Sequence, residues 1–214
     1  MGVNPELNEL QKEVTKQRIL EAGFRIFSER TIEKVTMADV AEAAGIGVAT
    51  VYRYYKSKPD LVLAVGSWAW ERYLYDSGRE PYREGRTAAE NYEYFLDAFL
   101  DLYRNHRDLL RFNQFFNIYV ENEKDLPEET LRPYLAMAEE LVRRMGYAHR
   151  LAQDDHTLRT DVPPLEMMLT TVHLMLAAVT RYAVGLVYKG GQDPEKELCL
   201  LKNMLLREFT APPG

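Results

Sequence analysis

An all-α fold is predicted by three features of this 214-residue chain. Met37, Val40, Ala41 and Ala44 fall at i, i+3, i+4 and i+7, the spacing of one buried stripe on a short helix. Gly45 to Gly47 interrupts that stripe, and a second one resumes with Val51 and Tyr55. Near the C-terminus, Leu165–Tyr188 and Pro194–Phe209 repeat apolar residues in alternating steps of four and three along two seams each. The expected architecture is an N-terminal three-helix helix-turn-helix domain over residues 1–60. A helical bundle over 61–214 follows it.

In chain order, residues 1 to about 13 are polar and are expected to be disordered or loosely helical. A first helix over about Lys16–Glu29 turns Ile19, Ala22, Ile26 and Phe27 to one side. Thr36 is a good N-cap for the second helix. Gly45 can turn the chain left-handed, Ile46 plugs back toward the core, and Gly47 opens the third helix.

The outer face of that third helix offers Val48, Ala49, Thr50, Arg53 and Tyr54. Gly47 to Lys58 contains Arg53, Lys56 and Lys58 and no acid. Small groups permit close approach to a major groove, Arg reads guanine bidentately, and hydroxyls and Lys reach phosphate. An ordinary helical hairpin with a solvated basic end has the same spacing.

The segments RILEAGFRIFSER and VTMADVAEAAGIGVATVYRYYKSKPDL decide between them, because over about residues 17–62 they resemble the N-terminal domain of TetR-family transcriptional regulators. That resemblance implies a phosphate-capping role for Thr36. It implies base contacts for Gly47, Val48, Thr50 and Arg53 and phosphate contacts for Tyr52, Tyr54 and Lys58. It also implies a palindromic double-stranded operator, a homodimer and a small-molecule effector. Two positions depart from the family pattern. Val48 stands where a polar or basic residue is frequent, so apolar contact with a thymine methyl is expected. Thr31 stands where glycine commonly ends the first helix.

Pro59 and Asp60 suit the first turn of a long helix running to about Ser77, with Leu61, Val65, Trp68 and Tyr75 near one side. Gly78 to Gly85 reads as a loop. Thr87 caps a helix to about Asn105 with Tyr92, Phe95, Phe99, Leu102 and Tyr103 in a stripe. The next, about Asp108–Val120, carries Leu109, Phe112, Phe115, Phe116 and Tyr119. Such stripes serve cores, and collectively they also wall apolar pockets with a few polar handles. The candidate effector pocket comprises Trp68, Phe99, Tyr103, Phe112, Phe116, Tyr119, Met137 and His173, suited to an apolar or aromatic molecule.

A helix from Pro127 to about Gln153 is expected to turn Leu131, Leu135, Ala138, Leu141 and Val142 inward. Asp154, Asp155 and His156 are adjacent, point in different directions and lack further placed ligands, so no metal or other cofactor is expected. In the two last helices one seam packs inward and the other meets a second copy in a four-helix interface. The interface residues assigned are Met175, Val179, Tyr182, Leu201 and Leu205.

The formal charge is −6, yet residues 1–62 hold nine basic and nine acidic side chains, so the net negative charge lies in the remainder. An acidic body would orient the neutral end toward phosphate. Cys199 is the only cysteine, which excludes an intramolecular disulfide and suits a reducing cytoplasm. The N-terminus has no apolar run of a signal peptide. The apolar run Leu165–Val187 carries Glu166, His173 and Arg181, which argues for a buried helix and against a membrane span. None of the four histidines has Glu three residues before it, and there is no phosphate loop or nucleophile elbow, so an enzyme is not expected. Repressor and activator remain open from sequence.

Overall fold

The computed structural model describes residues 5–76, 83–123, 126, 128–185 and 193–210. Among them the helices are α1 (Pro5–Glu29), α2 (Met37–Ala44), α3 (Val48–Tyr54), α4 (Lys58–Glu71), α5 (Ala88–Asn105), α6 (Arg107–Asn122), α7 (Glu128–Asp155), α8 (Pro164–Val184) and α9 (Pro194–Phe209). A short 3-10 turn, Ile32–Lys34, precedes α2, and a π-helical turn, Arg72–Asp76, ends α4. The chain groups into two compact units, residues 1–73 with 112–135 and residues 74–111 with 136–214. This grouping keeps α4 with α1–α3, whereas a division at residue 60 falls inside its first turn.

In the first unit α1 packs on α2 and α4, and α2 on α3. Ile19, Leu20, Phe27, Ile32, Val40, Val51, Leu61, Val62 and Val65 form its core. The helix entrances follow the expected chemistry. Thr36 and Asp39 make a capping box on α2, and Ser57 and Asp60 make one on α4. Gly45 ends α2 at φ 64°, and the N–H groups of Gly45 and Ile46 return to Glu42 and Ala41. That closure is a Schellman-type cap, which needs a left-handed residue at this point.

Both ends of the first helix differ from the simplest reading of the sequence. The first helix begins at Pro5 and runs 25 residues, so the segment expected to be disordered or loosely helical is regular helix from Pro5 on. No glycine is needed after it because Thr31 leaves in an extended conformation (φ −57°, ψ 130°). Two guanidiniums add support that the apolar pattern does not show. Arg18 donates to the Ala44 carbonyl at 2.7 Å and Arg25 to the Ala43 carbonyl at 2.9 Å, satisfying and neutralising the carbonyl end of α2.

The remaining members of this unit are aromatic. Phe112 lies 5.5 Å from both Phe24 and Phe116, and Phe116 lies 4.9 Å from Tyr134. Gly66 permits the contact of α6 with α4: a Cβ there would stand 2.7 Å from the Phe116 ring. In the early part of α7, Tyr134 is the inward residue. Leu135, expected inward, is exposed, and Leu131 is half-buried.

In the second unit α5, α8 and α9 pack on one another. Tyr92, Leu96, Met175, Val179 and Leu198 are at its centre, where the Tyr92 hydroxyl bonds Thr171 at 2.7 Å. The N-terminus of α5 is closed by a capping box of Thr87 with Glu90 and by two groups at and just past the end of α7. Asp155 accepts the Ala88 N–H at 2.6 Å, and Thr157 accepts that of Ala89 at 3.0 Å. The adjacent acids of this connector are thus explained in part by capping. α8 is long and apolar enough to cross a membrane by length and composition. Its buried residues Met167, Met168, Thr171, Met175, Val179 and Thr180 form one side of it, and the helix packs on α5 and α9. The expected Gly78 loop and the Gly190-Gly191 helix end lie largely or wholly outside the described residues.

Candidate nucleic-acid interface

On α3, burial separates the two sides residue by residue. Val51 is fully buried and Tyr55, just past the helix end, is 8% exposed. Gly47, Val48, Ala49, Tyr52, Arg53 and Lys56 are exposed, with Thr50 and Tyr54 half-buried beside them. The exposed helical positions recur at i, i+1, i+4 and i+5 from Val48, which is one continuous face, and Lys56 follows just past the helix end. Val48 at 43% and Tyr52 at 50% exposure are large apolar groups held in water, an arrangement that folding alone does not reward. The Arg53 guanidinium lies 5.6 Å from the centre of the Tyr54 ring.

Gly47 is informative because the fold does not require it. Its φ is −71°, open to any residue, and a Cβ would meet nothing within 4 Å. A bare backbone in open space at the start of an exposed helix face fits close approach of something outside the chain.

The flanking positions are bound within the unit. The Thr36 hydroxyl accepts the Asp39 N–H at 3.1 Å and donates to the Asp39 carboxylate at 2.5 Å. The Thr36 hydroxyl and the Thr36 backbone N–H, which donates to the same carboxylate at 2.7 Å, hold the Asp39 carboxyl below its ordinary value. Lys58 is half-buried; its ammonium donates to the Glu33 carbonyl at 3.1 Å. Burial lowers its pKa, against the opposing pull of Glu33, Glu123 and Asp39. Tyr55, packed under α3 with its hydroxyl unpartnered, is pushed up to about 12 by burial and by Glu13 and Tyr54.

The pocket and interface residues are distributed differently from expectation. Phe112, Phe116 and Tyr119 are buried in the first unit. Trp68 is half-buried there, its indole N–H donating to Gln17 at 2.9 Å. Phe99 and Tyr103 are buried in the second unit, with Tyr103 edge-on to Tyr182 at 6.3 Å. The Met137 side chain lies outside the described residues. His173 is corrected: it is exposed on the outer side of α8 and does not belong to the interior.

The interface assignment is corrected as well. Met175 and Val179 are 0% exposed and Leu205 is 5%, so their own chain already covers the surface a partner would touch. Tyr182 and Leu201 are half-buried. The exposed apolar residues are instead Leu165, Leu169, Leu174 and Val184 on α8 and Leu200 and Met204 on α9. The inner side of α8 carries the buried Thr171 and Thr180 among its apolar groups, whereas the outer sides of α8 and α9 carry Thr170, His173, Arg181, Asn203 and Arg207.

Comparison with known proteins agrees with the local geometry. Residues 19–65 match the model of the bacterial regulatory proteins of the tetR family. A helix-turn-helix transcriptional regulator of Staphylococcus aureus is 40% identical over 50 residues, which are 23% of this chain and 27% of that protein. The chain therefore aligns with only about a quarter of that relative's length. Over nearly the whole chain the fold is similar to two solved structures. One is a putative transcriptional regulator from Saccharomonospora viridis in complex with choline, with a TM-score of 0.69, 19% identity and coverage of 94% of this chain and 100% of that one. The other is the regulator FadR from Bacillus subtilis in complex with stearoyl-CoA, with a TM-score of 0.65, 16% identity and coverage of 90% and 96%.

Proposed function

Because the chain is a TetR-family transcriptional regulator by its helix-turn-helix segment, we propose that it is a homodimeric repressor released from a palindromic operator by a small apolar or aromatic molecule. It acts by binding and is not an enzyme. The observation that carries the reading is the α3 face: Gly47 bare in open space, Val48, Ala49 and Tyr52 exposed, Arg53 and Lys56 beside them, and no acid from Gly47 to Lys58. Gly47, Val48, Thr50 and Arg53 meet base edges, with the Val48 methyls against a thymine methyl. Thr36, Tyr52, Tyr54 and Lys58 hold the backbone on either side.

A dimer sets two such helices about 34–36 Å apart, or a multiple of that spacing, matching one helical turn of the operator. The exposed stripes of α8 and α9 are the surface proposed to join the copies, since Leu169, Leu174, Leu200 and Met204 have no other burial in the single chain. The functional division remains a DNA-binding N-terminal domain to about residue 60 and an effector and dimerisation domain beyond it.

The effector reading draws support from the two ligand complexes of the same fold and from unpartnered buried groups. Ser67 Oγ and the Trp70 indole N–H in the first unit, and Thr180 Oγ1 and His149 Nε2 in the second, are buried without hydrogen-bond partners. Groups left unpaired cost roughly 1–3 kcal/mol each, and a ligand that pairs them recovers that cost. Selection of bound sequences from a randomised duplex pool, followed by release assays with apolar and aromatic compounds, tests the proposal. Enrichment of a two-fold symmetric sequence supports it. Enrichment of an asymmetric sequence bound by one chain would overturn the dimeric reading, and increased transcription from a bound promoter would replace repressor by activator.

A further inference from the structure

Lys58 stands at the junction of α4 with the 3-10 turn and the end of α6, all within the first unit. Besides the Glu33 carbonyl, its ammonium has a second partner, the Tyr119 ring, whose centre lies 5.4 Å away. Tyr119 is 4% exposed, and its hydroxyl is hydrogen-bonded to the Glu123 side chain just past the helix end. The ring is therefore fixed from behind and presents its face to the cation.

Phe116 precedes Tyr119 by three residues on the same side of α6, and its ring rests on α4 at Gly66 with no room to spare. A displacement of α6 along α4 thus carries the Tyr119 ring toward or away from the first residue of α4.

We propose that Tyr119 is a positioning residue for Lys58: α6 offers the ammonium a resting partner that competes with a DNA phosphate, so the seating of α6 sets how much of one phosphate contact the reading head makes. This rests on the proposed DNA-binding role. In the free chain Lys58 lies on the ring; on a duplex it turns to phosphate, and α6 loses one of its attachments. The coupling runs both ways, so anything that presses Tyr119 more firmly against Lys58 weakens DNA binding.

The experiment uses the full chain and a non-specific 25-base-pair duplex in a fluorescence-anisotropy salt series. Y119L, which removes the ring face, is expected to bind about two- to fivefold more tightly at low salt, the range set by an exposed cation–π contact. Its slope of log K on log salt stays that of wild type, because Lys58 reaches the same phosphate in both bound states. Y119F keeps the ring face but loses the bond to Glu123 that fixes it, so its affinity is expected to lie between those of wild type and Y119L. K58A abolishes the difference between wild type and Y119L.

Equal effects of K58A in the wild-type and Y119L backgrounds would overturn the proposal. Should Y119L fail to fold, the wild-type protein answers directly. The Lys58 side-chain protons, assigned by comparison with K58A, are expected to show an upfield ring-current shift that disappears when duplex saturates the protein. A shift that persists on DNA contradicts the proposal. Absence of any duplex binding by wild type contradicts the DNA-binding role itself, and is distinguished from the first failure by that fact.

Discussion

The exposed sides of α3 and of α8 with α9 are both uncovered in the single chain, and they differ in chemistry. Within seven helical residues α3 exposes Val48, Ala49, Tyr52 and Arg53, a mixture of small, aromatic and cationic groups. Over more than 30 residues α8 and α9 expose Leu165, Leu169, Leu174, Val184, Leu200 and Met204. The first suits a surface with charge and flat apolar patches, the second a surface like itself. An uncovered face identifies its partner by what it lacks, and burial is what distinguishes such a face from core.

The largest effect expected from that contrast is on assembly. L169E with L200E should convert a dimer into a monomer, read by analytical ultracentrifugation, with DNA affinity reduced by about two orders of magnitude as the second reading helix is lost. M175A should leave the dimer intact while lowering unfolding free energy by about 2–5 kcal/mol in denaturant titration, because it empties a site in the core. If M175A dissociates the dimer and the double variant does not, the two seams have been exchanged.

Next in size is R53A, expected to cost about 1–3 kcal/mol on the selected duplex and to relax preference at one base position. G47S sharpens the same face. Serine is a good N-cap and the free chain has room for it, so thermal stability should hold or rise slightly while DNA affinity falls. Unchanged affinity would mean that no partner approaches the Gly47 backbone closely.

The smallest effect concerns the second unit at low pH. Burial opposes ionisation of Asp155, but the N–H groups of Thr157 and Ala88 and the Thr157 hydroxyl outweigh it and hold its pKa below the ordinary carboxylate value. A carboxyl lowered on folding contributes stability above its unfolded pKa of about 3.9, and this is lost as pH falls through the lower folded value. D155N should therefore lower the melting temperature at pH 7 and converge on wild type in strong acid.

How much of this was legible follows from the range of each interaction. The caps at Thr36 and Thr87 and the turn at Gly45 are local, involving residues three or four apart, and the chain states them openly. The face of α3 was equally legible because a short helix with Val51 and Tyr55 buried leaves only one side out. Arg18 and Arg25 closing α2, and Asp155 closing α5, join residues 18 to 67 positions apart, and no spacing rule reaches them. The seams of α8 were both visible as period, but period alone does not say which is inside. Met175 and Val179 lie on one of two seams with the same period, and only their burial marks that seam as core. His173 was placed inside by its apolar neighbours in sequence, whereas its neighbours on the helix surface are Thr170 and Ala177, both exposed.

The most direct measurement is sedimentation of the full chain with a duplex recovered from the randomised pool, at low and at high salt. The expected result is two chains per symmetric site at about 50 mM salt, dissociating as salt rises and lost with R53A. A chain that sediments as a monomer beside unbound duplex at that ionic strength, for every sequence in the pool, would contradict the assignment of the α3 face to DNA.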